Sequence, residues 1–309
     1  MVLSRFVKAA SLYSIGTFAP AVVNFLLLPV FAIYLSPDEF GSYEIYVMIS
    51  TLVVAVSRLG LPGSITRFYI DFFTEDAKRS FIKTILISTF IFSILFSLLT
   101  YVLFWVFYDT SGTQYNFLYL LILTLSGVCF KSFYEVLVKV YQINENVKRI
   151  TIFTLLLFSV NAVVKIFLII GLGYGFEALV YAELLTNSVS LLLGVYYLKY
   201  CLNSRFSVAN FKDSILYGFP VSIHHFSTWV VAYSSSLMVA YFYDEYLLGI
   251  YSIAIKLFIP ATFVIDAMAN AYSPVYYKLR KSGHRVSAEV GQLNSLFINT
   301  SLVLCSAMI

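Results

Sequence analysis

Four basic side chains stand in stretches made otherwise of Val, Ile, Leu, Ala and Phe: Arg58, Lys131, Lys165 and Lys256. A charge at the centre of a bilayer costs at least about 2.5–3.5 kcal/mol, so such residues face a bundle interior or a wet cavity. Each has polar company at helical spacing. Glu44, Thr51 and Arg58 are seven apart. Lys131 and Glu135, Asn161 and Lys165, Glu183 and Asn187, and Ser252 and Lys256 are paired at i, i+4. Polar groups sharing a face on five helices predict a common hydrated space. That space would offer anion binding at the four cations and proton or sodium exchange at Glu135, Glu183 and Asp266.

Other readings stand beside that one. Arg58 and Lys131 lie within about two turns of one end of their spans, and Lys165 lies near the opposite end, so all three are able to snorkel to the interface. Lys256 sits nearer mid-span. Glu135 and Asp266 are also candidates for neutralising Lys131 and Lys256, although Asp266, ten residues on, is about 80° round the helix. His224 and His225 point to different faces and lack a third ligand at metal spacing, so they read as hydrogen-bonded core residues. Cys129, Cys201 and Cys305 are far apart with no CxxC, and read as packing residues. No phosphate-cradling GxxxxGKS/T loop, GxGxxG, GxSxG or HExxH occurs. The residues predict a transporter with no cofactor and no nucleic-acid partner.

Helices must position these groups. The chain of 309 residues is 60% apolar and 12% charged, with a mean hydropathy of +0.87. Soluble domains are about half apolar and a quarter charged. An all-α polytopic membrane protein follows. Runs of about twenty apolar residues predict about nine transmembrane helices, near 9–34, 42–62, 82–107, 117–138, 150–170, 177–198, 213–241, 247–274 and 292–309. Twenty-nine Phe and twenty-five Tyr suit interfacial belts and lipid-facing packing. Pro20, Pro29, Pro62, Pro220, Pro260 and Pro274 fall within or beside spans, where proline bends a helix.

The loops carry the orientation. Arg5 and Lys8 precede the first span, and alternate loops carry Arg67, Lys78, Arg79 and Lys83, then Lys139, Lys148 and Arg149, then Lys199, Arg205 and Lys212, then Lys278, Arg280, Lys281 and Arg285. The opposite loops hold Asp38, Glu39, Asp109, Glu177, Asp244 and Glu245 and no basic residue. By the positive-inside rule the basic side and the amino terminus are cytoplasmic.

The chain also repeats itself. "LYSIG" at 12–16 returns loosely as "LYGFP" at 216–220, and "DEFGSYEIY" at 38–46 returns from 244 as "DEYLLGIYSIA", aligning Gly41 with Gly249. The offset of about 204 to 208 residues equals six spans and both copies start on the basic side, the pattern of a parallel repeat. A six-helix lobe at 1–206 and a partial lobe of three helices at 207–309 are expected. A second full lobe would need about 400 residues in all, so a chain stopping at "LVLCSAMI" reads as a carboxy-terminal truncation.

The first two spans, "NFLLLPVFAIYLSPDEFGSYEIY" running on to "RLGLPGSITRFY", resemble the opening of the bacterial polysaccharide or O-antigen flippases (Wzx type). The matching elements are Asn24, Pro29, Leu35, Pro37, Phe40, Gly41, Gly60 and Arg67-Phe68. That family shares a superfamily with multidrug and toxin extruders and lipid II flippases. The resemblance implies alternating access of two lobes in the bacterial inner membrane, with an undecaprenyl-diphosphate-linked oligosaccharide repeat unit as substrate. Membrane lipids, a polysaccharide polymerase and chain-length proteins are the expected partners. The physics agrees: a diphosphate with about two negative charges cannot cross about 30 Å of hydrocarbon unassisted. Arg58, Lys256, Lys131 and Lys165 are the expected diphosphate contacts. A cation-exporting extruder, which would favour an acidic cavity, and a membrane polysaccharide polymerase are the alternatives.

Overall fold

The computed structural model describes residues 22–23, 25–107, 114–144, 146–258 and 295. Nine helices follow one another among them: α1 (Phe25–Tyr34), α2 (Pro37–Ser57), α3 (Leu61–Phe68), α4 (Glu75–Phe107), α5 (Gln114–Ile143), α6 (Val147–Ile166), α7 (Glu177–Leu202), α8 (Val208–Phe242) and α9 (Glu245–Leu257). No strand occurs among the described residues. Among the described residues, five helices are long and apolar enough to cross a membrane. The expected span at 292–309 and Asp266 lie outside the described residues.

The second expected span, 42–62, is shifted and broken. Its start is fixed earlier by the "SPDE" sequence: Ser36 N donates to Glu39 Oε2 (2.8 Å) while Glu39 N donates to Ser36 Oγ (3.3 Å), with Pro37 in the first turn. This reciprocal cap satisfies donors that would otherwise be orphaned. The end comes at Ser57, where Leu59 (φ 47°) and Gly60 (φ 64°) turn left-handed and α3 restarts. A leucine in that conformation costs roughly 1–3 kcal/mol. The neighbouring helices hold it there, and the turn aims Arg58 into the bundle.

α4 shows how a membrane helix divides its faces. Ile91, Leu95, Leu98, Val102 and Trp105 are exposed, while Thr84, Ser88, Ser93 and Ser97 are buried. Small inward residues let helices approach closely where lipid supplies no hydrophobic drive between them. The loops gather by charge at two ends. At the basic end Ser80 Oγ donates to Arg205 O and Lys83 Nζ to Ser204 O, each at 2.7 Å. At the other end the Glu39 carboxylate lies against Gly175 and Ser42 Oγ donates to the Glu245 carboxylate.

α9 packs along α2 through glycine. A side chain on Gly41 would meet the carbonyl of Glu245, and one on Gly249 would meet the carbonyl of Pro37. The offset carrying Gly41 onto Gly249 also carries Pro37 onto Glu245. Such reciprocity is what two copies of one unit produce when they face each other across a two-fold axis.

Candidate functional site

The bend after Ser57 delivers Arg58 to three partners on two other helices. Arg58 Nε donates to Glu135 Oε2 on α5 (2.6 Å), Nη2 to Val128 O (3.0 Å) and to Glu135 Oε1 (3.4 Å), and Nη1 to Ser93 Oγ on α4. The residue is 6% exposed. It neither snorkels nor waits unpaired. The structure also corrects the expected pairing of Glu135 with Lys131: neighbours at i, i+4 share a face, yet the forked guanidinium from α2 matches the carboxylate better than a point charge does.

The other two pairs lie toward the acidic end. Lys165 on α6 donates to Glu183 Oε1 on α7 (2.8 Å) and is buried, so it does not snorkel either. Asn161, expected beside Lys165, instead donates to Thr186 Oγ1 (3.0 Å). Lys256 on α9 is ion-paired to Glu44 on α2 and sits 4.5 Å from the Phe40 ring centroid. Glu44 is thus its neutralising partner among the described residues, because α9 lies directly on α2.

Three adjoining cavities lie where helical spacing predicts a common hydrated space. A cavity of about 200 Å³ is lined by Lys165, Glu183, Lys256, Tyr43 and Val47. A second, of about 210 Å³, shares Tyr43, Val47 and Glu183 with it and reaches Lys131. The largest of the three, about 620 Å³, shares Thr51, Val54 and Lys131 with the second and is walled by α2, α3, α5 and α8. Its volume falls within the range of ligand sites.

The large cavity holds the residues with spare chemistry. Lys131 and Lys139, two turns apart on α5, both line it. Neither makes a hydrogen bond or ion pair with another described residue, and Lys131 is exposed. Lys139 was legible only as a loop anchor, since it lies at the basic end of its helix. Across from them α8 presents His225, Thr228, Trp229 and Tyr233. His224 and His225 are both exposed, which corrects their reading as core residues. They stand mid-helix on α8, whose cavity-side neighbours leave room that a packed core would fill. Cys129 and Cys201 are buried free thiols, Cys201 in apolar packing and Cys129 donating its Sγ–H to Ser97 Oγ (3.5 Å), while Cys305 lies outside the described residues.

The buried pairs are not symmetric, and this gives a test. Lys165 is 5% exposed in its side chain but Glu183 is 45% exposed toward the cavities. Glu183→Leu strands a buried ammonium and is expected to cost about 3–5 kcal/mol. Lys165→Leu leaves a carboxylate that the cavity can hydrate, so its loss should be clearly smaller. Melting temperatures of the two variants in detergent check the order, and equal losses would contradict it.

Comparison with known proteins places this geometry. A family model described as polysaccharide biosynthesis protein matches residues 30–303. The Lsg locus putative protein 1 of Haemophilus influenzae is 22% identical over 283 residues, which take in 89% of this chain and 66% of that protein. The chain therefore spans just under two thirds of that relative's length. Among solved structures, a MATE crystal structure in the straight conformation has a TM-score of 0.65 at 18% identity, covering 98% of this chain and 70% of that one. A MOP superfamily transporter from Pyrococcus furiosus, reported with a binding pocket of reverse polarity, has a TM-score of 0.59 at 16% identity, covering 98% and 77%. At such identities the likeness is one of fold. The five long apolar helices and this fold make the chain a multi-pass membrane protein.

Proposed function

The chain belongs to the polysaccharide biosynthesis protein family, and from that premise we propose that it moves an undecaprenyl-diphosphate-linked oligosaccharide across the bacterial inner membrane by alternating access. Its expected place is the assembly of a surface polysaccharide such as O-antigen, beside a polymerase and chain-length proteins. The amino terminus and the basic loops would face the cytoplasm.

The observation that carries this reading is the 620 Å³ cavity with Lys131 and Lys139 on one wall, neither in a hydrogen bond or ion pair with another described residue. An amphiphile whose head is a diphosphate needs compensating cations inside the bilayer, and two ammonium groups lining one cavity from the same helix supply them. Arg58 lines the same cavity, but Glu135 already holds it, so its role is to build the wall and lend net positive field. The lining of Arg58, Lys131 and Lys139 against Glu135 also disfavours an exporter of cations. With α2 and α9 closed by Gly41, Gly249 and the Glu44–Lys256 pair, the cavity loads from the basic side. Opening the other side would break that pair and free Lys256, next to Lys165, to receive the head.

The test is complementation in a host lacking its own flippase. A charge-assisted hydrogen bond contributes about 1.5–3 kcal/mol, so Lys131→Ala and Lys139→Ala are each expected to weaken headgroup binding about tenfold or more. The double variant should leave little surface polysaccharide while accumulating the lipid-linked precursor. Normal polysaccharide from the double variant would remove the assignment.

A further inference from the structure

The wall of the large cavity opposite the lysines has a character that a diphosphate does not need. Phe226, Trp229 and Tyr233 stand at i, i+3 and i+7 on α8 and form a continuous aromatic strip. Phe226 and Trp229 are stacked with centroids 6.4 Å apart and planes 15° from parallel, and Tyr233 follows Trp229 at 5.6 Å. The indole is fixed, because Trp229 Nε1 donates to Thr51 Oγ1 on α2 (3.1 Å). Trp229 and Tyr233 line the cavity, flanked by His225 and Thr228. A held aromatic ring with hydroxyl and imidazole groups around it, facing cations across a cavity, is a composite surface. One side fits an anion and the other fits a flat, partly apolar, hydroxyl-rimmed body.

We propose that this strip, centred on Trp229, is the sugar-reading wall of the cavity and stacks against a pyranose of the oligosaccharide next to the diphosphate. A pyranose carries C–H bonds on one face, polarised positive by adjacent oxygens, which meet the negative face of an aromatic ring. Its equatorial hydroxyls project outward to the rim, where His225, Thr228 and the Tyr233 hydroxyl can exchange hydrogen bonds. The inference rests on the transport reading above and deepens it: α5 holds the head by charge and α8 selects by ring shape. An isoprenoid tail would also pack on aromatic rings, but it has no use for a hydrogen-bonding rim or for a place across from the lysines.

The test uses the full chain in nanodiscs and two radiolabelled probes, a polyprenyl diphosphate bearing one N-acetylglucosamine and the same polyprenyl diphosphate without sugar. Packing of a pyranose C–H face on the indole makes a sugar preference of about tenfold the expected wild-type result. Trp229→Ala should erase that preference, weakening the sugar-bearing probe about tenfold more than the bare one. Trp229→Phe, which keeps a flat ring but loses the bond to Thr51, should retain part of it. The protein has two tryptophans and the other, Trp105, is exposed at the far end of α4. In a Trp105→Phe background the emission of Trp229 should therefore shift with the sugar-bearing probe alone. Equal affinity for the two probes, or equal weakening of both by Trp229→Ala, would overturn the sugar wall and leave the transport reading standing. Binding of neither probe would overturn the transport reading and this inference with it.

Discussion

Arg58→Met will cost the fold about 1–3 kcal/mol, because it leaves the half-buried Glu135 carboxylate without its cation and takes the donor from buried acceptors on α4 and α5. The guanidinium donates to Glu135, Ser93 and Val128 O at once, so its removal orphans acceptors on α4 and α5 together. Arg58→Lys should recover only part of the loss, since an ammonium cannot form the planar fork that spans two carboxylate oxygens. Arg58→Met with Glu135→Leu should recover most of it, because an apolar pair of similar volume replaces a buried ion pair at little or no cost. Thermal unfolding of the detergent-solubilised variants reads all three. A single variant that melts with the wild type would show that Arg58 is free in solution, available as a ligand contact and not a strut.

Gly249→Leu will open the seam between α2 and α9. Its side chain has no room, because the Pro37 carbonyl already occupies the site of the first carbon, and the reciprocal Gly41→Leu meets Glu245 in the same way. Backbone cannot yield as a flexible side chain does. The helices must part by about 2 Å, the difference between a glycine-mediated crossing and one spaced by side chains. Overpacking of this kind costs about 1–3 kcal/mol, and the separation also breaks the contacts of Ser42 with Glu245 and Glu44 with Lys256. Spin labels at Asp38 and Tyr246, both exposed, should move apart in either variant. Gly63→Ala is the control, as nothing lies within 4 Å of the added carbon. An unchanged label distance in Gly249→Leu would mean that the seam is not held by glycine contact.

These two results bear on what a sequence can reveal. Length and apolar runs predict a helical membrane protein because lipid thickness and backbone satisfaction leave few other solutions. The "SPDE" cap is local too, but the apolar run alone put the start of that span at 42, five residues past the Pro37 where the cap begins it. Partners are not local. Helical spacing put Lys131 beside Glu135, but the bond is made by Arg58 from another helix, and only the left-handed turn at Leu59 and Gly60 brings it there. Lys256 likewise finds Glu44 through the packing of α9 on α2. Lys139 was hidden among loop cations, and Trp229 among 29 Phe and 25 Tyr whose ordinary role is facing lipid. Its bond to Thr51 exists only once α8 lies against α2.

The most direct test is transport itself, followed as the flip of a fluorescent polyprenyl-diphosphate oligosaccharide between the leaflets of proteoliposomes. Wild-type protein should raise the flip rate well above that of empty vesicles, and the chain carrying both Lys131→Ala and Lys139→Ala, with an unchanged melting temperature, should fall back to the empty-vesicle rate. A doubly substituted chain that flips the lipid as fast as the wild type would contradict a headgroup site on α5.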